Sequence, residues 1–195
     1  MNENYSLKEI DISEIKNIII KLLSKQLNND EISQEEELFI NDATKIYPDI
    51  VKEVGLGPEQ VFDLIEKNEK LSFNIIFNII QRPYFPEYIE LFIKRKLSIN
   101  SLKVMNNLIQ KVVLPTRFIY FYILHWIYEI KEINNRDAKL RLSKLLSFFL
   151  CNLLDHEHIT FDAIPPSIDE IFKENCEEPD ILLLKQKIEK YRKEQ

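Results

Sequence analysis

The stretch EYIELFIKRKLSINSLKVMNNLIQKVVLPTRFIYFYI, residues 87–123, decides the fold of this chain. Ser98 is a good N-cap for a helix over 98–113, because its oxygen can accept from amides that a first helical turn leaves without partners. Leu102, Met105, Ile109 and Val112 then recur at helical spacing, with Lys103, Asn107 and Lys111 opposite. Pro115 opens a further helix, where its missing N–H removes nothing. That helix carries Phe118, Ile119, Phe121, Tyr122, Ile123, Leu124, Trp126, Ile127 and Ile130, which leaves almost no polar face. A helix apolar all round is buried on several sides, so this one is expected to be the hub of the core.

Working upstream, residues 12–27 form a helix on Ile15, Ile18, Ile19, Leu22 and Leu23, broken by Asn28, Asn29 and Asp30. Ser33 and Glu36 have capping-box spacing and start a second helix, which Pro48 ends near Tyr47. Gly55, Gly57 and Pro58 make a sharp corner before a helix at 58–67. Another runs over about 70–81. Pro83 and Pro86 bracket the next start, with Tyr88, Leu91 and Phe92 inward. Downstream, a helix at 136–154 packs through Leu142, Leu145, Leu146, Phe149 and Leu153, and two more lie near 160–175 and 179–193. There is neither strand periodicity nor an internal repeat. The expected fold is all-α, with about 9–10 helices stacked in antiparallel pairs as a bundle or short α-solenoid. Residues 1–30 read as an amphipathic helix and linker, and residues 31–195 as a helical domain.

Composition agrees. With 45% apolar and 30% charged residues, the 195-residue chain can bury a sizeable core, and two glycines leave few tight turns. The net charge of −6 argues against non-specific binding to a phosphate backbone. Cys151 and Cys176 have no paired spacing and suit a reducing compartment, Cys151 as a small hydrophobe within a helix. The N-terminus MNENYSLKEIDISE is acidic and polar, unlike a secretory signal, and no apolar run approaches the ~20 residues of a membrane helix. An intracellular, soluble chain is expected.

No spacing of Ser, His and Asp suggests a nucleophile, no glycine-rich loop could cradle phosphate, and nothing calls for a cofactor. Asp155, His156, Glu157 and His158 have ligand atoms, but two histidines at i, i+2 on a helix point about 200° apart. They read as a solvated helix end rather than a metal site. Glu35, Glu36 and Glu37 sit where the helix dipole favours carboxylates, and Lys94, Arg95 and Lys96 where it favours cations. Arg136, Lys139, Arg141 and Lys144 line another helix, as a solvated face or a patch for an acidic partner or RNA. Aromatics do not interleave with them as a stacking platform requires. Asn106, beside Met105 and Ile109, is a buried-amide candidate that would lock helices together.

The residues also resemble a known family. Glu87, Tyr88, Ser98, Ser101, Val104, Asn106, Leu108, Leu114, Pro115, Phe118, Ile119, Tyr122 and Ile123 are similar to the C-terminal domain of subunit eleven of the eukaryotic Ccr–Not (carbon catabolite repression–negative on TATA) deadenylase complex. Arg141, Leu142, Leu145, Phe149, Leu150 and Leu153 continue the likeness. Gly55, Leu56, Pro58, Asp63, Leu64, Glu66 and Asn68 extend it upstream, so that it covers roughly residues 46–160. The resemblance implies a non-catalytic, helical protein-binding module that recruits regulatory partners and supports mRNA decay and translational repression, in cytoplasm and nucleus. It implies association with subunit ten and the large scaffold subunit. The family's contact region for subunit ten has no counterpart in residues 1–30, and the tail EEPDILLLKQKIEKYRKEQ departs from the family pattern. The partner-binding candidates are Glu87, Tyr88, Asn106, Arg136 and Arg141. Two roles follow: an adaptor, whose groove its own first helix could fill, or an RNA-binding domain that holds messages near the nucleases.

Overall fold

The computed structural model describes residues 10–175 and 177–194, and among these it contains helices and turns but no strand. Cys176 and the acidic leader over 1–9 lie outside the described residues. The chain divides into two compact units, one up to Leu108 and one from Ile109. The division anticipated near residue 30 falls inside the first unit, at the turn between its first two helices.

The first unit holds α1 (Ile12–Leu27), α2 (Gln34–Ile46), α3 (Ile50–Glu53), α4 (Pro58–Lys67), α5 (Glu69–Asn78), α6 (Phe85–Ile89), α7 (Leu91–Lys94) and most of α8 (Ile99–Lys111). Ion pairs and hydrogen bonds show how they run. Lys25 meets Glu36 at 3.0 Å, so α1 and α2 form an antiparallel hairpin. Lys16 meets Glu53 just ahead of α4 at 2.8 Å, while Lys67 at the far end of α4 donates to the Leu27 carbonyl, so α1 and α4 run parallel. Asn68 donates to Glu37, and Asn78 to the Thr44 hydroxyl at 2.9 Å, so α2 and α5 are parallel as well. Two antiparallel hairpins are thus stacked in the same sense, the paired arrangement of a short α-solenoid.

The centre of this unit is α4, which packs against α1, α5, α6 and α7. Val61, Phe62, Leu64 and Ile65 are its buried residues, and the Phe62 ring meets Phe92 edge-on at 5.4 Å. Helix α1 is docked here through Ile15, Ile19, Leu22 and Leu23, all buried.

Three helix ends share one device. After α1, α3 and the helix over Arg136–Asp155 (α10) a residue takes the left-handed conformation: Asn29 (φ 68°), Gly55 (φ 74°) and Glu157 (φ 57°). In each case the amide after it reaches back to the last turn: Asp30 to Lys25, Leu56 to Val51 and His158 to Leu153. This is the Schellman end, usually closed by glycine. A chain with two glycines closes only one of these three ends with one.

The second unit holds α9 (Thr116–Glu132), α10 (Arg136–Asp155), a short 3-10 turn (Phe161–Ala163), α11 (Ile168–Glu174) and α12 (Pro179–Glu194). The single helix expected over 160–175 is split, because Pro165 and Pro166 cannot donate to a helical ladder. The centre is α10, with α9 on one side and α12 on the other. Trp126 of α9 stacks on Phe149 at 5.5 Å, and Tyr122 meets the same ring edge-on. Lys144 pairs with Glu178 at 2.6 Å and Lys187 with Asp155, so α12 runs parallel to α10. The return is made by α11, whose Asp169 holds Arg192 at 3.0 Å.

Helix α9, expected to be the hub of the core and buried on several sides, buries Ile119, Tyr122, Ile123, Trp126, Ile127 and Ile130 but keeps other apolar residues exposed. Tyr128 is 59% exposed and Phe121 40% exposed, with the Arg117 guanidinium over the Phe121 ring at 5.7 Å. Two flanking elements, α10 and the 3-10 turn, cannot cover a whole helix within this unit. Leu145, expected to pack inward on α10, is 38% exposed for the same reason.

Asn68→Ala should lower stability by about 2 kcal/mol, since it removes a helix cap and a side-chain tie together, whereas Asn68→Ser should keep most of the cap. Glu157→Gly should raise stability by roughly 0.5–1 kcal/mol by relieving a left-handed non-glycine residue. Urea unfolding followed by far-UV circular dichroism reads each change as a shift in midpoint.

Candidate functional site

Of the five candidate partner-binding residues, Glu87, Tyr88 and Asn106 belong to the first unit and Arg136 and Arg141 to the second. Tyr88 is a correction: it is only 4% exposed, and its hydroxyl donates to the Leu56 carbonyl at 2.7 Å. It therefore ties α6 to the corner before α4 and cannot serve as a surface anchor. Burial, followed by the charge of Glu87, pushes its phenol up to about 12. Glu87 itself is exposed on α6. Asn106 is half-buried on α8, and among the described residues no group hydrogen-bonds its amide, so it is not the interhelical lock expected.

Arg136 and Arg141 are both exposed on α10, without an ion-pair partner among the described residues. Five residues apart, they point about 140° away from each other. The expected basic face is further divided by pairing: Lys139 meets Glu174 at 2.8 Å and Lys144 meets Glu178. Four cations in sequence therefore amount to two free ones on different sides. Lys94 and Arg95 are similarly engaged, Lys94 with Glu90 at 2.7 Å and Arg95 with Asp63 and Glu59 of α4.

His156 and His158 follow the Schellman end of α10 with ring centroids 6.1 Å apart, and both are exposed. Among the described residues no three His, Cys, Asp or Glu side chains gather as a metal set. Cys151 is buried, and burial pushes its thiol up, away from a reactive thiolate. Asp49, Lys52, Glu53, Arg82, Pro83 and Tyr84 line a polar cleft of the first unit. Its charges are already matched, Arg82 with Asp49 at 3.5 Å and Glu53 with Lys16, while Lys52 sits 5.5 Å from the Tyr84 ring centre. Such a cleft holds itself together rather than presenting a charge.

What the structure does assemble is an apolar strip on the second unit. Arg141, Leu145, Phe148 and Asp155 recur along one outward stripe of α10. Phe148 is 63% exposed, the largest such value among the aromatic side chains of α9 and α10. The pairing of Asp155 with Lys187 places α12 beside this stripe. One turn before Lys187, on the same side of α12, lies Leu183, itself 49% exposed. Leu145, Phe148 and Leu183 therefore line one outward surface over two parallel helices, with Arg141 at its start. Sequence reading assigned Leu145 to the core and passed over Phe148 and Leu183. The available signal was width: Leu142, Leu145, Leu146, Phe148, Phe149, Leu150 and Leu153 cover more of α10 than one core-facing stripe needs.

Residues 65–177 match the family described as CCR4-NOT transcription complex subunit 11. The chain belongs to that family. The match covers more than half of the 195 residues, runs from the last turn of α4 to just past α11, and takes in the α10 stripe. It is shifted towards the C-terminus from the 46–160 span suggested by individual residues, so Gly55, Leu56, Pro58, Asp63 and Leu64 precede it. Within it, most residues that carry the likeness hold helices together. Ser98 and Ser101 cap each other's backbone amides at 3.0 Å at the start of α8, Ser98 also donates to Glu66, and Asn68 joins α4 to α5. The family is one of complex subunits.

Tyr84 and Tyr88 give a pH test of this packing. Burial and, for Tyr84, a hydrogen bond to Asp49 push both phenols from about 10 to about 12. The neutral phenol is the form favoured in the fold, so their contribution is fully present below pH 10 and is lost as pH rises towards 12. The urea midpoint should fall steeply across that window, and less steeply in Tyr84→Phe/Tyr88→Phe.

Proposed function

We propose that this chain is a non-catalytic adaptor of the CCR4-NOT complex, a helical surface that recruits regulatory proteins to messenger RNA deadenylation, decay and translational repression. The observation that carries the reading is the exposed Leu145–Phe148–Leu183 strip, in a chain whose family match includes α9 and α10 and ends just before α12. An aromatic with polar neighbours on an otherwise charged surface is the usual form of a protein-binding anchor. Through the family, the internal partners proposed are subunit ten and the large scaffold subunit, with the work done in cytoplasm and nucleus. RNA binding is the weaker reading, because Lys139 and Lys144 are engaged with Glu174 and Glu178 and the net charge is −6.

Affinity capture of the tagged chain from nuclease-treated lysate of its source cells should recover the large scaffold subunit, read by mass spectrometry. Recovery without any subunit of the complex overturns the adaptor reading. Single-stranded RNA should show no salt-dependent binding that Arg136→Gln/Arg141→Gln weakens; such binding at low salt would favour the RNA role instead.

A further inference from the structure

We infer that the α10–α12 strip docks an amphipathic helix of a partner protein that places a carboxylate against Arg141. The inference rests on the adaptor reading and specifies its partner.

Shape comes first. Phe148 on α10 and Leu183 on α12 flank the trough between two packed helices running in the same direction, with Leu145 on the α9 side of Phe148. A third helix fits such a trough by setting its own i, i+3, i+4 ridge between the two. Among the described residues there is no strand, so an extended peptide has no sheet edge to extend.

Charge then selects the occupant. The two cations that border the trough on the α12 side are taken, Lys144 by Glu178 and Lys187 by Asp155. Arg141 stands one turn before Leu145 on the same stripe, exposed and unpaired among the described residues. A guanidinium in that position meets a carboxylate bidentately, and does so next to apolar surface that thins the surrounding water. The complementary helix therefore carries an apolar ridge with Asp or Glu about two turns from the residue that covers Phe148. The stripe from Arg141 to Asp155 spans about 21 Å at 1.5 Å per residue, so the docked helix is about four turns long.

The test places a photoreactive residue at Phe148 in the full chain, with Ile20 on the first unit as the reference position, since it is 45% exposed. After irradiation in nuclease-treated lysate, the cross-linked peptides are sequenced by mass spectrometry. The expected adduct is a segment of another protein with helical apolar spacing and an acidic residue about two turns from the cross-link. A synthetic peptide of that segment should bind the full chain, about thirtyfold more weakly after Phe148→Ala and about tenfold more weakly after Arg141→Glu. Changing the peptide's acidic residue to lysine should restore binding to Arg141→Glu. Adducts to residues 1–9 of this chain, to a second copy or to RNA overturn the inference, as do yields no higher than at Ile20. So does a charge reversal without effect on affinity. If the unmodified chain captures the complex while Phe148 gives no adduct, this inference alone fails. If it captures no subunit of the complex, the adaptor reading fails with it.

Discussion

Asn68 is the joint on which the first unit depends. Its backbone amide closes α4 on Leu64 at 2.7 Å, and its side-chain oxygen opens α5 by accepting from Leu71 at 3.0 Å. One residue thus satisfies orphan groups at two helix ends, where separate caps would need a longer loop. The side-chain nitrogen reaches the other hairpin, towards Glu37 of α2 and Gln26 of α1. Because the turn has no slack, α5 must reverse directly on α4, and the contacts of that single amide set the second hairpin against the first. The parallel stacking of α1 on α4 and of α2 on α5 follows from this geometry. The nearby ties extend it: Lys67 to the Leu27 carbonyl, and Glu66 to Ser98 ahead of α8.

Helix boundaries were legible in the sequence wherever one residue type satisfies a helix end. Ser33 with Glu36, Pro58, Ser98 and Pro179 all act where their chemistry placed them. The corner at Gly55 was legible for the same reason, since φ is positive there. What could not be read was which of several apolar faces finds a neighbour. Phe118 to Ile130 predicted an α9 buried on several sides as the hub of the core, yet enclosure depends on how many elements surround a helix, and periodicity along one helix carries no information on that. The split at Pro165 and Pro166 was legible in principle, because two successive prolines cannot sit inside a helical ladder.

The candidate site was legible only in part, and the reason is physical. Tyr88, Ser98 and Glu66 mark the family because helices meet at them, and a buried hydroxyl or a shared cap tolerates few substitutes. Matching such positions identifies a fold. A contact surface made of Leu145, Phe148 and Leu183 consists of apolar residues that, in sequence, look the same as core. Only the three-dimensional fact that α10 has α9 on one side and α12 on the other, with one stripe left uncovered, separates them.

The charges explain why that stripe is distinctive. Lysines of the second unit are answered within it: Lys131 by Glu170 at 2.6 Å, Lys139 by Glu174 and Lys187 by Asp155. Exposed pairs of this kind contribute about 0–1 kcal/mol each, so their weight in stability is small. Their effect on specificity is larger. An acidic segment approaching the unit meets cations that already have a carboxylate beside them, and gains little by competing for one. Arg141 is different because its neighbours along α10 towards the C-terminus are Leu145 and Phe148, and no described carboxylate reaches it. The pairing of these lysines leaves Arg141 as an unpaired cation beside exposed Leu145 and Phe148, and that combination discriminates between an acidic apolar helix and an acidic chain without one.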